Sequence, residues 1–273
     1  MMNPAMTITL VIEIATLAFL VVFALRLRGW TSDTRDRIET INRRTAEIHA
    51  EQASQRQMLA RSTTEIVNTA CLSDLGFRYP VFLADWSIDA FLARYLVQFL
   101  LEHRPDCIVE LGSGSSTLLI ARCASVIDGY APRHIVIDHE AKYLDLTRQL
   151  AAINGFDKGI EYFHCPLSTD EHTGMQWYGG VGEHLAGVQA QLIVVDGPPG
   201  VLQPLSRYPA FPSLAVHMAP RCTLLLDDAA RPDEREIARR WAAENPEFEL
   251  TINPAGHGYA VLTRRELRGS RLP

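Results

Sequence analysis

Apolar and polar positions divide this chain into two parts with different patterns. From residue 87 onward, short apolar runs that end at or near an acidic residue alternate with amphipathic segments, which predicts strands followed by helices. A first helix is predicted over residues 87–103. The predicted strands end near Leu111, Asp138, Phe163, Asp196 and Asp227. This alternation is typical of a parallel sheet with helices on both faces. Residues 248–252 and 259–263, joined by a Gly- and Pro-containing turn, predict a hairpin.

A glycine-containing turn follows the first predicted strand. In the segment Ile108–Thr117, Gly112 and Gly114 leave the backbone bare enough for a nucleotide-like ligand to lie against it. A dinucleotide fingerprint needs a third glycine where Thr117 stands. Glu110 can accept a hydrogen bond from a ligand ammonium group and would repel a pyrophosphate, so the turn favours S-adenosylmethionine over NAD. Gly-Ser turns also join strands to helices without any ligand.

The second predicted strand ends at Asp138. In an alternating strand and helix unit, an acid at this position faces the crevice and can hold both hydroxyls of a ribose. An aspartate that merely caps the next helix is the alternative interpretation.

Three further acids end two later strands. Asp196 precedes the turn Gly197–Gly200, and Asp227 and Asp228 end the next strand. Because the carboxyl ends of parallel strands share one edge of the sheet, these side chains are expected to converge. Carboxylates that converge repel one another unless a positive charge lies among them, and Mg²⁺ or Mn²⁺ suits such oxygen ligands. The alternative is that these acids cap a helix or start a turn.

These motifs resemble class I S-adenosylmethionine-dependent methyltransferases, and among them a bacterial branch close to the metal-dependent, catechol-type O-methyltransferases. The resemblance covers about residues 85–265. It implies a Rossmann-like sheet of seven strands, parallel except for a C-terminal antiparallel hairpin. It also implies a cofactor site for S-adenosylmethionine formed by Glu110, Gly112, Ser113, Gly114, Ser116, Asp138, His139, Pro166, Leu167 and Asp196.

The resemblance implies a metal site at Asp196, Asp227 and Asp228, with Mg²⁺ or Mn²⁺ lowering the pKa of an acceptor hydroxyl. Asp196, Asp227 and His139 are the candidate catalytic residues. Two positions depart from the catechol-type pattern. Asp228 stands where that family has an asparagine, and Pro199 stands where it has the lysine that acts as base. Candidate bases are therefore His139, His164 and His172, and metal activation would make a dedicated base unnecessary.

The N-terminal part opens with an apolar run. Residues 8–25 are apolar apart from Glu13 and two threonines. A helix of this length reaches ~27 Å, enough to cross the core of a bilayer. Arginines follow at positions 26, 28, 35 and 37, so the positive-inside rule predicts a single-pass protein of the inner, cytoplasmic membrane with its large domain in the cytoplasm. A helix on the membrane surface or against another protein is the alternative.

Residues 31–69 lack Gly and Pro, and apolar residues near heptad positions predict a long helix. The polar Thr45, Gln52, Gln55 and Ser62 fall on the same seam. A coiled-coil homodimer and a solvated single helix therefore both remain open. The expected organisation is a transmembrane helix over residues 1–30, a helical linker over 31–70 and a methyltransferase domain over 71–273.

Composition narrows the function further. The chain has 273 residues and a net charge of -6, which gives no basic surface for nucleic acid. Its five cysteines are scattered without the spacing of a zinc site or a disulfide framework, which indicates a protein of a reducing compartment. The predicted activity is metal-assisted O-methylation of a small-molecule, glycan or lipid-linked acceptor. An NAD-dependent enzyme and a membrane-tethered scaffold without activity are the alternatives.

Overall fold

The computed structural model describes residues 4–83, 87–156 and 158–265. The chain divides into two compact units, residues 1–60 and 61–273. Helix α1 spans Pro4–Ser73. In the first unit its apolar side chains are exposed, among them Leu17, Phe19, Leu20, Val21, Val22 and Phe23. Within the described residues, one helix contains an 18-residue window with a mean hydropathy of 1.2. By length and composition this helix could cross a membrane, and a signal sequence would meet the same criteria.

The second unit continues with alternating strands and helices. Its elements are α2 (Ala90–His103), β1 (Cys107–Leu111), α3 (Ser115–Val126), β2 (Arg133–Asp138), α4 (Ala141–Asn154), β3 (Ile160–His164), β4 (Leu167–Thr169), β5 (Gln176–Tyr178), α5 (Val181–His184), β6 (Ala190–Val195), α6 (Ala210–Leu214), a 3₁₀ turn (Ala215–His217), β7 (Met218–Asp227), α7 (Pro232–Glu244), β8 (Phe248–Asn253) and β9 (Tyr259–Arg264).

Seven of these strands form one sheet in the order β3-β2-β1-β6-β7-β9-β8. The first five are parallel, and β9 runs antiparallel to both β7 and β8. This arrangement confirms the predicted Rossmann-like sheet with its C-terminal hairpin. Strand β1 connects onward to β2 on one side and has β6 as its neighbour on the other. The order therefore reverses between β1 and β6, and ligands of open α/β sheets bind in the crevice at such a point.

Two apolar layers enclose the sheet. Val109 of β1 packs in a cluster with Trp241 of α7, whereas Ile108 packs in a second cluster with Leu96 of α2 and Ile120 of α3. Successive residues of a strand point to opposite faces, so a strand buried on both faces is apolar at almost every position. Glu110 is the polar exception in β1, and it is fully buried.

Two elements differ from the sequence expectation. Helix α2 begins at Ala90, because the Asp89 carboxylate accepts hydrogen bonds from the backbone N–H groups of Phe91 and Leu92 and so caps the helix. The sequence of residues 165–182, with Trp177 and Tyr178 among glycines, predicts a loop that covers a ligand. The segment instead contains the antiparallel pair β4–β5, and both aromatic side chains are buried in the core.

Candidate cofactor and active site

The turn after β1 packs directly on the end of β6. Gly112 has a φ of 99°, a left-handed conformation that glycine adopts without steric cost. A β-carbon at this position would lie 3.1 Å from the carbonyl carbon of Asp196. The backbone N–H of Asp196 in turn donates to the Leu111 carbonyl at 2.9 Å. Gly112 is therefore required by the close approach of two backbone segments at the crevice.

Gly114 lies in a different environment, although it belongs to the same turn. It precedes α3, its φ of 164° is extended, and a β-carbon there would meet nothing within 4 Å. This bare stretch of backbone beside the crevice has room for a ligand. The Gly114 N–H donates to the Thr117 hydroxyl at 3.2 Å. The residue that replaces the third glycine of a dinucleotide fingerprint thus engages an N–H group that a pyrophosphate would otherwise use.

Asp138 lies next to this turn. Its Oδ2 accepts from the backbone N–H of Ser113 at 2.8 Å and from the Ser113 hydroxyl at 2.6 Å, and its Oδ1 accepts from the N–H of Glu140 at 3.0 Å. Burial raises the pKa of Asp138, but the neighbouring His139 and the hydrogen bonds from Ser113 and Glu140 outweigh burial and hold the pKa below its usual value. These contacts place Ser113 beside Asp138, and the binding of cofactor by the two residues stays a prediction.

The remaining candidate cofactor residues lie at several depths around the crevice. His139 places Nδ1 3.4 Å from Asp138 and Nε2 3.6 Å from Glu140. The backbone N–H of Cys165 donates to the Asp138 carbonyl at 2.8 Å. The segment that contains Pro166 and Leu167 therefore starts beside Asp138. Ser116 is buried in the first turn of α3.

Glu110 is placed differently from the expectation of an acid that faces the ligand. Its side chain has no exposed area, and its Oε2 lies 2.6 Å from Nε2 of His134. The structure therefore pairs Glu110 with His134 in the interior and does not bring it to the open side of the turn. A direct contact with a ligand ammonium group stays a prediction.

The three acids of the predicted metal site do converge. Asp196, Asp227 and Asp228 each offer an oxygen, and these oxygens lie within 4.8 Å of one another. The Asp228 backbone has a φ of 62°, a conformation that aspartate tolerates better than most residues. Asp227 and Asp228 are buried, whereas the Asp196 side chain is 22% exposed. Asp196 therefore carries the accessible carboxylate of the cluster.

A buried arginine lies among these acids. Arg207 is 3% exposed, and its Nη2 lies 3.3 Å from Asp196 Oδ1 and 3.0 Å from Asp228 Oδ2. The same nitrogen donates to the Asp196 carbonyl at 2.9 Å, while Nη1 donates to the Asp227 carbonyl at 3.1 Å and Nε to the Pro198 carbonyl at 3.3 Å. All three guanidinium nitrogens are thus bound by the ends of β6 and β7 and the turn between them.

The electrostatics of the cluster follow from this burial. Burial, with the Asp228 charge, raises the pKa of Asp196 to about 6 against the opposing effect of Arg207. Burial, with Asp196 and Asp228, raises the pKa of Asp227 well above its usual value. Burial alone would lower the pKa of Arg207, but the surrounding acids outweigh it and raise that pKa. Arg207 therefore stays positively charged, and its charge stabilises the surrounding carboxylates.

The three acids together form a possible set of oxygen ligands for a divalent cation. The oxygen ligands are those that Mg²⁺ prefers, but one oxygen of Asp196 and one of Asp228 already face the Arg207 guanidinium. Arg231 places Nη1 2.9 Å from the same Asp228 oxygen. A cation at these oxygens would lie against two positive charges. With Arg207 in this position, the residues present do not fit a resident divalent metal.

The sequence predicts Tyr178 on a loop over the ligand and does not predict the buried position of its hydroxyl beside the crevice. The Tyr178 hydroxyl is buried and has no hydrogen-bond partner among the described residues. Burial raises the pKa of Tyr178 well above its usual value, and the nearby charges of Asp138 and Asp196 act in the same direction, so the hydroxyl keeps its proton. A β-carbon at Gly197 would fall on this hydroxyl. Burial of a donor without a partner is costly unless a ligand or water supplies an acceptor.

No protein-family model matches the chain, and no curated protein matches it either. Among solved structures, the fold is shared with PaMTH1, a methyltransferase of Podospora anserina solved with SAH bound. The two align with a TM-score of 0.54 at 13% identity over 79% of this chain and 97% of that chain.

Two bacterial structures align less closely. A methyltransferase from Geobacter sulfurreducens gives a TM-score of 0.49 at 18% identity, over 73% of this chain and 89% of that chain. An O-methyltransferase from Bacillus cereus in complex with SAH gives 0.49 at 15% identity, over 75% and 90%. The likeness to PaMTH1, at 13% identity, shows the fold alone and not an activity.

Proposed function

We propose that this protein is an S-adenosylmethionine-dependent methyltransferase that acts on a hydroxyl group. The observation that carries the proposal is the crevice at the reversal of strand order. There the open backbone of Gly114 and the Ser113–Asp138 pair lie side by side. The Tyr178 hydroxyl, which has no hydrogen-bond partner among the described residues, supports the proposal that a ligand binds in the same crevice. It lies close enough to Asp138 and Asp196 for their charges to raise its pKa.

Each group has a defined part in this proposal. Asp138 would hold the ribose hydroxyls, with one of them replacing the Ser113 hydroxyl on Oδ2. Bound in the crevice, S-adenosylmethionine supplies an electrophilic methyl group on a sulfonium. As the bond from the acceptor oxygen to the methyl carbon forms and the carbon–sulfur bond breaks, the hydroxyl proton must leave. Asp196, the most accessible acid of the cluster, would accept it. A catalytic part for His139 or Asp227 stays a prediction.

The two other functions predicted from the sequence have less support. An NAD-dependent enzyme would need the N–H of Gly114 for a pyrophosphate, and the Thr117 side chain, fully buried, accepts from that group instead. In a scaffold without cofactor, only water could supply an acceptor for the buried Tyr178 hydroxyl. Assistance by a metal also stays a prediction, which the position of Arg207 opposes.

Titration calorimetry on the full-length protein tests the proposal. We expect S-adenosylhomocysteine and S-adenosylmethionine to bind and NAD not to bind. Asp138→Ala removes charge-assisted hydrogen bonds and should weaken S-adenosylhomocysteine binding about 10- to 100-fold. Asp145→Ala is the matched control, because Asp145 is a solvent-exposed acid on α4 that pairs with Arg148. NAD binding in place of S-adenosylhomocysteine, or no binding of either, would refute the proposed function.

We further propose that residues 8–25 anchor the enzyme in the inner membrane, with the catalytic domain in the cytoplasm. The exposed apolar residues of α1 support the membrane anchor. The arginines that follow them support the orientation. A tethered enzyme meets acceptors that reside at the membrane more often than those in solution. The location therefore favours a glycan or lipid-linked acceptor over a free small molecule.

A further inference from the structure

Two arginines of the chain supply positive charge to the carboxylate cluster formed by Asp196, Asp227 and Asp228. Arg207 contacts carboxylate oxygens of Asp196 and Asp228 and the carbonyl of Asp227. Arg231 contacts the Asp228 oxygen that Arg207 also contacts. One oxygen of Asp227 accepts from the backbone N–H of Asp228 at 2.7 Å. Each of the three acids thus has at least one oxygen committed to a protein donor.

The Arg207 side chain is held in one position by its contacts. It is buried, and its three nitrogens together reach the carbonyls of Pro198, Asp196 and Asp227. Moving it away would leave these buried acceptors and two carboxylates without the donor they now share. A divalent ion and this guanidinium therefore compete for the same place, and the guanidinium is held there by covalent attachment and by five contacts.

We propose that Arg207 is the permanent cation of this site and takes the place of a divalent metal. The guanidinium joins the ends of β6 and β7 through the carboxylates of Asp196 and Asp228 and the backbone carbonyl of Asp227, and the site binds cofactor and works without a metal ion. Arg207 is a positioning residue, because it orients Asp196 and all three of its nitrogens already contact the protein. The statement about catalysis rests on the proposed methyltransferase function, whereas the statement about metal binding does not.

Two measurements on the full-length protein test this proposal. The first follows the free Mn²⁺ signal by electron paramagnetic resonance as protein is added, since Mn²⁺ accepts the same oxygen ligands as Mg²⁺. We expect no loss of signal at millimolar Mn²⁺. The second is calorimetry with S-adenosylhomocysteine, whose Kd is expected to be the same in EDTA and in Mn²⁺. Absence of S-adenosylhomocysteine binding would refute the proposed function and leave the Mn²⁺ result to be judged by itself.

Variants sharpen the first measurement. Arg207→Met removes the charge and retains much of the side-chain volume, so the freed carboxylates should gain Mn²⁺ binding, and Mn²⁺ should raise the Tm by several degrees. Arg207→Lys keeps a positive charge and should stay insensitive to Mn²⁺. Arg235→Met is the matched control, because Arg235 binds the carbonyls of Ala229 and Ala230 and no acid of the cluster.

The proposal is overturned by stoichiometric Mn²⁺ binding to the wild-type protein that Asp227→Asn abolishes. It is also overturned if Arg207→Met folds and gains neither Mn²⁺ binding nor stabilisation by Mn²⁺. Should Arg207→Met not fold, the wild-type titration decides the question without it.

Discussion

Gly112 and Gly114 serve different purposes although one residue separates them. A side chain at Gly112 would meet the backbone of Asp196 and Gly197 and would also require a φ of 99°. A side chain at Gly114 would project into open space from an extended backbone. The first glycine is therefore needed by the fold, and the second is free to serve a ligand.

Gly114→Val is expected to abolish S-adenosylhomocysteine binding while the protein stays folded, because the new side chain fills the space beside the crevice. Gly112→Val is expected to lower the free energy of unfolding by about 1–3 kcal/mol through backbone strain alone, with the clash added. Thermal unfolding and calorimetry on both variants separate the two effects. Normal affinity in Gly114→Val would show that the ligand does not lie against this turn.

At the scale of elements, Asp89 joins the start of α2 to the turn between β8 and β9. One carboxylate oxygen accepts from the N–H groups of Phe91 and Leu92, and the other accepts from the N–H of His257 at 2.6 Å. Asp89 itself is 2% exposed. A single buried side chain thus fixes a helix that lies on the sheet and the hairpin that completes it.

Asp89→Ala is expected to lower the free energy of unfolding by about 1–3 kcal/mol, since it removes a helix cap and leaves the N–H of His257 without its acceptor. Urea denaturation monitored by circular dichroism measures the change. Asp89→Asn can still cap the helix and should lose less. Equal stability of Asp89→Ala and wild type would show that the capping contacts contribute nothing net.

For the whole molecule, the proposed membrane anchor in α1 would determine where the protein is located. If residues 8–25 span the inner membrane, a reporter fused after Pro273 should be active only in the cytoplasm, and carbonate washing should leave the protein in the membrane pellet. Replacing Leu17, Leu20 and Val21 with serine is expected to release it. Release of the unchanged protein by carbonate would instead indicate a helix on the membrane surface or against another protein.

The sequence by itself determined the order of elements and the chemistry at their ends. Apolar runs buried on both faces identify the parallel strands β1, β2, β6 and β7, and each acid at the end of a run, such as Asp138 or Asp196, lies at the predicted edge of the sheet. These features are local, because period and strand ends are written in consecutive residues. Even the convergence of Asp196, Asp227 and Asp228 follows from the rule that parallel strands share an edge.

Only the tertiary structure decided what neutralises those acids. The sequence shows that a positive charge is needed, and a metal ion satisfies that need as well as an arginine does. Arg207 follows Asp196 by 11 positions and precedes Asp227 by 20, and no local pattern brings it back between them. The same holds for Tyr178, whose aromatic ring and glycine-rich neighbours suggested an exposed loop. In the structure the Tyr178 side chain packs in the hydrophobic core, because removing apolar surface from water stabilises the fold.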